Sequence, residues 1–247
     1  MRFLSLIALA LLVLATACAK TTTMRYNPVY SDVLARQKTV IILPPVAEMN
    51  VIDIAGKKQR VYNYEANLEQ LAATETDIDL KEMGFKVKIM RRKDCHDLGV
   101  YDSYLRLRDQ YDDVRRSLYT PLLWEESKAF AITNNLGQSA VVLGKKTNSD
   151  LIVMVDYEGS VKTSGARARD LALSLLVNGS HANNADNSLM IIGIIDAKNG
   201  NILWTNLGLE SRDLFASGMD SFSDKNDIDV KKLNRLIDQI FKPLNKK

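Results

Sequence analysis

Hydrophobic and polar positions follow three rhythms along this chain. An apolar stretch, Phe3 to Leu14 with Ser5 inside it, comes first, and shorter runs stand at Thr39-Val40-Ile41-Ile42-Leu43 and Leu151-Ile152-Val153-Met154-Val155. Between them, apolar residues recur every three or four positions. A short apolar run without polar interruption predicts a strand buried on both faces. Thr39 to Leu43, closed by Pro44-Pro45, is therefore placed at the centre of a sheet. Val51 to Ile54 and Gln59 to Tyr62 flank Ala55-Gly56-Lys57-Lys58 and predict a hairpin. Leu68, Leu71, Ala72, Ile78 and Met83 predict a helix over residues 65–83, with Gly84 ending it in a left-handed conformation. Phe85, Val87 and Ile89 alternate with Lys86 and Lys88, which is a strand with one wet face.

Tyr104, Leu107, Tyr111, Val114 and Leu118 then mark one side of an amphipathic helix whose other positions interleave arginine and aspartate. Aspartates among the arginines would repel phosphate, so this polar side reads as a solvated, ion-paired face and not as a nucleic-acid surface. After Pro121 a longer helix is expected over residues 122–146, loosened at Gly137. Asn148-Ser149-Asp150 turns into the second apolar strand. Ser188 to Asp196 and Ile202 to Leu207 flank a turn containing Asn199-Gly200, a strong hairpin signal. Val230, Leu233, Ile237, Ile240 and Leu244 supply a final amphipathic helix. The expected fold is α/β: a mixed sheet covered by helices, with its C-terminal strands in antiparallel hairpins.

The opening stretch changes the picture of where this domain works. Arg2, the apolar run and Ala15-Thr16-Ala17-Cys18 have the layout of a lipoprotein signal, so residues 1–17 are expected to be removed and Cys18 to carry the acyl chains, palmitate among them. The run falls short of the roughly 20 residues of a spanning helix. Residues 18–37, with Thr21-Thr22-Thr23 and Asn27-Pro28, read as a lipidated end and flexible tether, reaching roughly 60 Å if extended. Residues 38–247 are expected to form a single domain. Without residues 1–17 the chain keeps 32 basic against 30 acidic side chains, too even a balance for a dedicated nucleic-acid binder.

Three stretches together resemble a known group of bacterial envelope lipoproteins: the strand Thr39 to Leu43 with its terminal proline, Leu143-Gly144 leading through Asp150 into Leu151 to Tyr157, and Leu189 to Asp196 followed by Asn199-Gly200-Asn201-Ile202-Leu203-Trp204. They resemble the periplasmic domain shared by CsgG, LpoB and PelC, over residues 38–210. One extra residue precedes Gly200 relative to the pattern of that family. The resemblance implies a periplasmic, non-enzymatic assembly or accessory factor for an envelope protein complex. The alternative is an oligomeric ring subunit of an outer-membrane secretion apparatus of curli or exopolysaccharide type. Protein partners, self-association and the membrane are then the expected contacts. Ala19 after the acylated cysteine matches the arrangement that sorts lipoproteins to the outer membrane.

Residues 162–187 fit the family least well. Leu171-Ala172-Leu173-Ser174-Leu175-Leu176-Val177 lacks the alternation of a spanning β-strand and reads as a short helix capped by Asp170. It is either wholly buried or docked on a partner or membrane, and Arg167, Arg169, Leu171, Leu173, Leu175 and Leu176 are the candidate contacts. Catalytic chemistry finds little material. Gly137 and Gly144-Lys145-Lys146 have the wrong spacing for a phosphate loop. Two histidines, His96 and His181, exclude a histidine-rich metal site. The carboxylates Glu125, Glu126 and Asp156 are the whole resource of an enzymatic reading, and Cys95 reads as buried and reduced. No catalytic residue, metal or cofactor is expected.

Overall fold

A strand that is apolar on both sides must satisfy its amide groups on neighbouring strands and its side chains on covering layers, which brings the two unbroken runs together. The computed structural model describes residues 24–119, 130–169, 187–210 and 228–244. Strand β2 (Thr39–Ile42) lies parallel to β7 (Leu151–Lys162), with Val40 opposite Leu151 and Ile42 opposite Val153. Its other edge carries β5 (Lys86–Ile89), also parallel, with Thr39 opposite Lys86. Val40 to Leu43 are all buried, as the run predicts.

Pro44-Pro45 breaks the ladder because neither proline has an amide hydrogen to donate. The chain resumes as β3 (Val46–Ile52) along the same edge of β7, running from Val46 opposite Asp156 to Ile52 opposite Lys162. β4 (Lys58–Arg60) returns antiparallel to β3, completing the expected hairpin. On the other edge of β7, β8 (Asn187–Asp196) and β9 (Ile202–Glu210) follow in antiparallel order. Two short strands close that side: β1 (Arg25–Tyr26) runs antiparallel to β9, and β6 (Phe130–Ala131) runs parallel to β1.

Alternation along the strands sends successive side chains to opposite faces. One face, with Val40, Ile42, Val153, Val155 and Trp204, is covered by α1 (Tyr30–Arg36), α2 (Tyr62–Glu82) and α6 (Val230–Phe241). The opposite face, with Ile41, Leu43, Ile152, Met154 and Ile195, is covered by α3 (Arg92–Asp97), α4 (Tyr101–Leu118) and α5 (Gly137–Thr147). Asp229 caps α6 by accepting from the Lys232 amide at 3.1 Å, and Phe241 stacks on Trp204 with ring centres 5.8 Å apart. The expected mixed sheet, covered by helices on both faces, is what forms.

Three expectations need correction. Residues 24–37 are not tether: β1 pairs with β9, and Tyr30, Val33 and Leu34 of α1 pack on the core. The domain therefore begins by Arg25 and not at residue 38. The helix expected over 122–146 covers only Gly137–Thr147 among the described residues, because Phe130–Ala131 extend the sheet and Gly137, at φ 62°, starts the helix instead of loosening it. The polar side of α4 is also not wholly solvated, since Arg108 is buried.

Candidate functional site

The first described strand in chain order is β1. Because β1 is antiparallel to β9, tracing it backwards from Tyr26 to Arg25 heads toward the end where β9 finishes at Glu210. The C-terminal ends of β3 and β7 lie at that same end, since both run parallel to β9. Cys18 lies outside the described residues, six positions before the first of them, Met24. The same end of the sheet carries the turn between β3 and β4 and the helical residues 164–169.

Two of the predicted contact residues fall there. Arg169 donates through Nη1 to the Ile54 carbonyl, which ties residues 164–169 to the β3–β4 turn, and the Arg167 amide donates to the Thr163 carbonyl at 2.9 Å. Thr163 in turn donates its amide to Ile52 at 3.0 Å, so this segment continues the sheet edge without a break. Leu171, Leu173, Leu175 and Leu176 lie outside the described residues. The structure thus places the two arginines beside a hairpin turn that the sequence did not connect with them.

A second polar grouping sits under α4. Arg108 forms a buried ion pair with Asp156 of β7. Arg115, two turns further along the helix, bonds Glu158 at 2.8 Å and brings its Nε within 3.9 Å of the second Asp156 oxygen and 3.5 Å of Asp112. Burial pushes the Asp156 carboxyl above its ordinary range, and the guanidinium of Arg108 opposes that rise. Tyr111 and Tyr119 both reach the Thr205 hydroxyl, at 3.3 and 3.4 Å, and the Arg25 guanidinium lies over the Tyr119 ring at 5.4 Å. A polar seam therefore links β1, β9, α4 and β7 across one face.

Within this seam one Asp156 oxygen pairs with Arg108, and the other faces Arg115 at 3.9 Å. Glu125 and Glu126 lie outside the described residues. Sequence spacing carried one signal for the pair: Arg108 falls four residues after Tyr104 and three before Tyr111, on the stripe that faces the sheet. A charge on an apolar stripe calls for a buried partner, and only the tertiary structure names it.

Cys95 is a buried free thiol on α3, pushed up in pKa by its burial, while neighbouring His96 is exposed and stacks on Tyr101 with ring centres 3.7 Å apart. The imidazole is thus turned away from the sulfur. Among the described residues no helix is long and apolar enough to cross a membrane, and no group of three or more His, Cys, Asp or Glu side chains is arranged to hold a metal ion.

Architecture defines the class first: a helix-covered mixed sheet in which the first described strand, β1, lies between β9 and the edge strand β6. No protein-family model matches the sequence, and no curated protein matches it. Solved structures similar to the chain include the PelC dodecamer from Paraburkholderia phytofirmans, at 12% identity and TM-score 0.35, covering 91% of this chain and 96% of that one. Lipoprotein GNA1162 from Neisseria meningitidis is similar at 10% identity and TM-score 0.36, covering 85% and 97%. The LpoB C-terminal domain from Salmonella enterica is similar at 12% identity and TM-score 0.28, covering 75% and 94%. PelC and LpoB are two of the three proteins named by the sequence resemblance. No residue's role is carried across from them.

Proposed function

We propose that this chain is an envelope lipoprotein, anchored in the outer membrane by acyl chains on Cys18, that acts without catalysis as an assembly or accessory factor for an envelope protein complex. The observation that supports it best is the shortness of the link. Seven residue steps separate Cys18 from Arg25, where β1 is already paired with β9, so the link spans at most about 25 Å. Several acyl chains hold a protein at a bilayer far more durably than one. A domain bound so closely to a leaflet exerts its effect through where it is held and what it meets there.

The test is Cys18→Ala. The variant is expected in the soluble fraction with the circular dichroism and unfolding midpoint of the wild-type domain, and with the loss of whatever envelope phenotype a deletion shows. A Cys18→Ala protein that still sediments with membranes, or that supports the envelope phenotype when soluble, overturns the reading.

A further inference from the structure

We infer that Asn199-Gly200, in the turn between β8 and β9, is a deamidation site that the folded chain holds shut, and that once this turn opens Asn199 converts to aspartate or isoaspartate and the native turn no longer re-forms. The inference stands independently of the anchored reading above.

An Asn-Gly pair suits this reaction because glycine has no side chain to hinder attack by its own amide nitrogen. The Gly200 nitrogen attacks the side-chain carbonyl carbon of Asn199, so a C–N bond forms and the bond to Nδ2 breaks. The proton from the Gly200 nitrogen leaves with the side-chain amide as ammonia. Water then opens the resulting five-membered imide at one carbonyl to give aspartate, or at the other to give isoaspartate, whose backbone runs through the former side chain. The sequence contains two such pairs, Asn178-Gly179 and Asn199-Gly200, and the second lies within the described residues.

The fold restrains the groups that this chemistry must move. Gly200 is buried, and its amide, the nucleophile, donates to the Asp196 carbonyl at 2.8 Å. The Asn199 carbonyl accepts from Asn135 Nδ2 at 2.8 Å, so both polar atoms of the reacting peptide unit are engaged. The Asn199 side chain is held at both ends: Oδ1 accepts from the Asn201 amide at 2.9 Å, and Nδ2 donates to Asp196 Oδ2 at 3.0 Å. Ring closure also needs rotation about the bonds beside that peptide. Gly200 has no room for it, because a Cβ built there would lie 2.6 Å from the Gly137 carbonyl oxygen, and the Gly200 carbonyl is bonded to the Leu136 amide at 2.7 Å. Asn135 is the clamp. Besides Asn199 it donates to Asn201 Oδ1 at 2.6 Å and accepts from the Gly137 amide at 2.7 Å, tying the turn to the start of α5. A peptide so paired reacts only through opening. After conversion the turn cannot regain these bonds. A carboxylate at position 199 faces Asp196 Oδ2 where a donor stood, which replaces attraction by repulsion. Isoaspartate also lengthens the backbone by one carbon inside a turn whose hydrogen bonds fix its span.

The test holds the full chain in mild detergent at mildly alkaline pH, either folded or in guanidinium chloride, and follows conversion at position 199 by peptide mass spectrometry. Digestion in water labelled with oxygen-18 marks any conversion that arises during preparation. Conversion in the folded chain is expected to be at least about tenfold slower than in denaturant. A smaller difference overturns the shield. Asn135→Ala is expected to speed conversion in the folded chain at least about threefold, while Phe241→Leu, which loosens the core on the opposite face of the sheet, leaves it unchanged. A rate unmoved by Asn135→Ala, or moved as much by Phe241→Leu, overturns the assignment to this clamp. Circular dichroism establishes that each variant is folded. Should Asn135→Ala fail to fold, Asn201→Ala removes one bond of the same clamp and is read in the same way. Asn199→Asp is expected to speed hydrogen exchange of the 196–201 amides at least about tenfold, and unchanged exchange overturns the claim that the converted turn stays open.

Discussion

Arg108 interrupts the apolar stripe of α4, and among the described residues Asp156 directly beneath it is the ion-pair partner that offsets the cost of burying its guanidinium. Two desolvated charges in such a pair contribute modest net stability, but either one left alone is strongly unfavourable. Asp156→Ala is therefore expected to lower the unfolding free energy by about 3 to 5 kcal/mol in urea titrations, whereas Arg108→Met combined with Asp156→Leu costs about 1 kcal/mol or less. If the double variant is as unstable as the single one, the pair is not the reason. A neighbouring constraint is steric. A Cβ built on Gly193 would lie 2.7 Å from the Tyr111 ring, so the strand under α4 must be bare at that position for the tyrosine to reach Thr205. Gly193→Ala is expected to cost about 1 to 3 kcal/mol through overpacking, measured the same way.

Pairs of elements respond to pH in opposite directions. Between α2 and α6, burial lifts the Asp79 carboxyl to about 7, with the charges of Asp238, Glu82 and Glu75 adding to the rise. The folded chain binds this proton more tightly than the unfolded one, so the stabilisation is complete below about pH 4 and is lost as pH rises toward 7. Asp79→Asn is expected to raise the urea midpoint at pH 8, by about 2 kcal/mol in stability, and to leave it unchanged at pH 4. Asp150 joins α5 to β7 and behaves in the reverse sense. Burial would raise its carboxyl, but hydrogen bonds from the Thr39 hydroxyl, the Lys38 and Thr39 amides and Lys198 outweigh it and bring the value down to about 2. Its contribution is present above about pH 4 and disappears as pH falls toward 2, so Asp150→Asn should flatten the acid limb of the stability profile. A pH series of urea midpoints on the two variants separates these limbs. At this scale the periodicity found α2, α4 and α6 because each has an apolar stripe to bury. It missed the boundary before α5, where Phe130–Ala131 add to a sheet edge and only a non-local partner, β1, makes them a strand.

At the scale of the whole molecule, β1 and α1 decide where the folded domain begins. Tyr26 pairs with Trp204, and α1 packs its apolar residues on the same core cluster. A chain started at residue 38 is expected to unfold at lower urea than one started at residue 24. In a Trp124→Phe background its tryptophan emission should shift to the red as Trp204 loses cover. Equal midpoints and equal spectra would return residues 24–37 to the role of tether. The segment looked like a tether because a two-residue strand and a seven-residue helix are too short to carry a period. Arg167 and Arg169 stood out as a basic pair, yet their setting beside Ile54 depends on a turn more than a hundred residues earlier in the chain.

By itself the sequence determined those features that a local stretch settles alone. The unbroken runs at Thr39 and Leu151 have no polar face and had to be interior strands; the stripes of α2, α4 and α6 had to face a core; Asp196 to Trp204 had to turn. Tertiary structure decided the rest: that β2 and β3 share one edge of β7 across two prolines, that Asp156 is the partner of Arg108, and that Arg169 holds the Ile54 carbonyl. Each of these joins groups far apart in sequence, and their energies come from desolvation and pairing that exist only once the chain has folded.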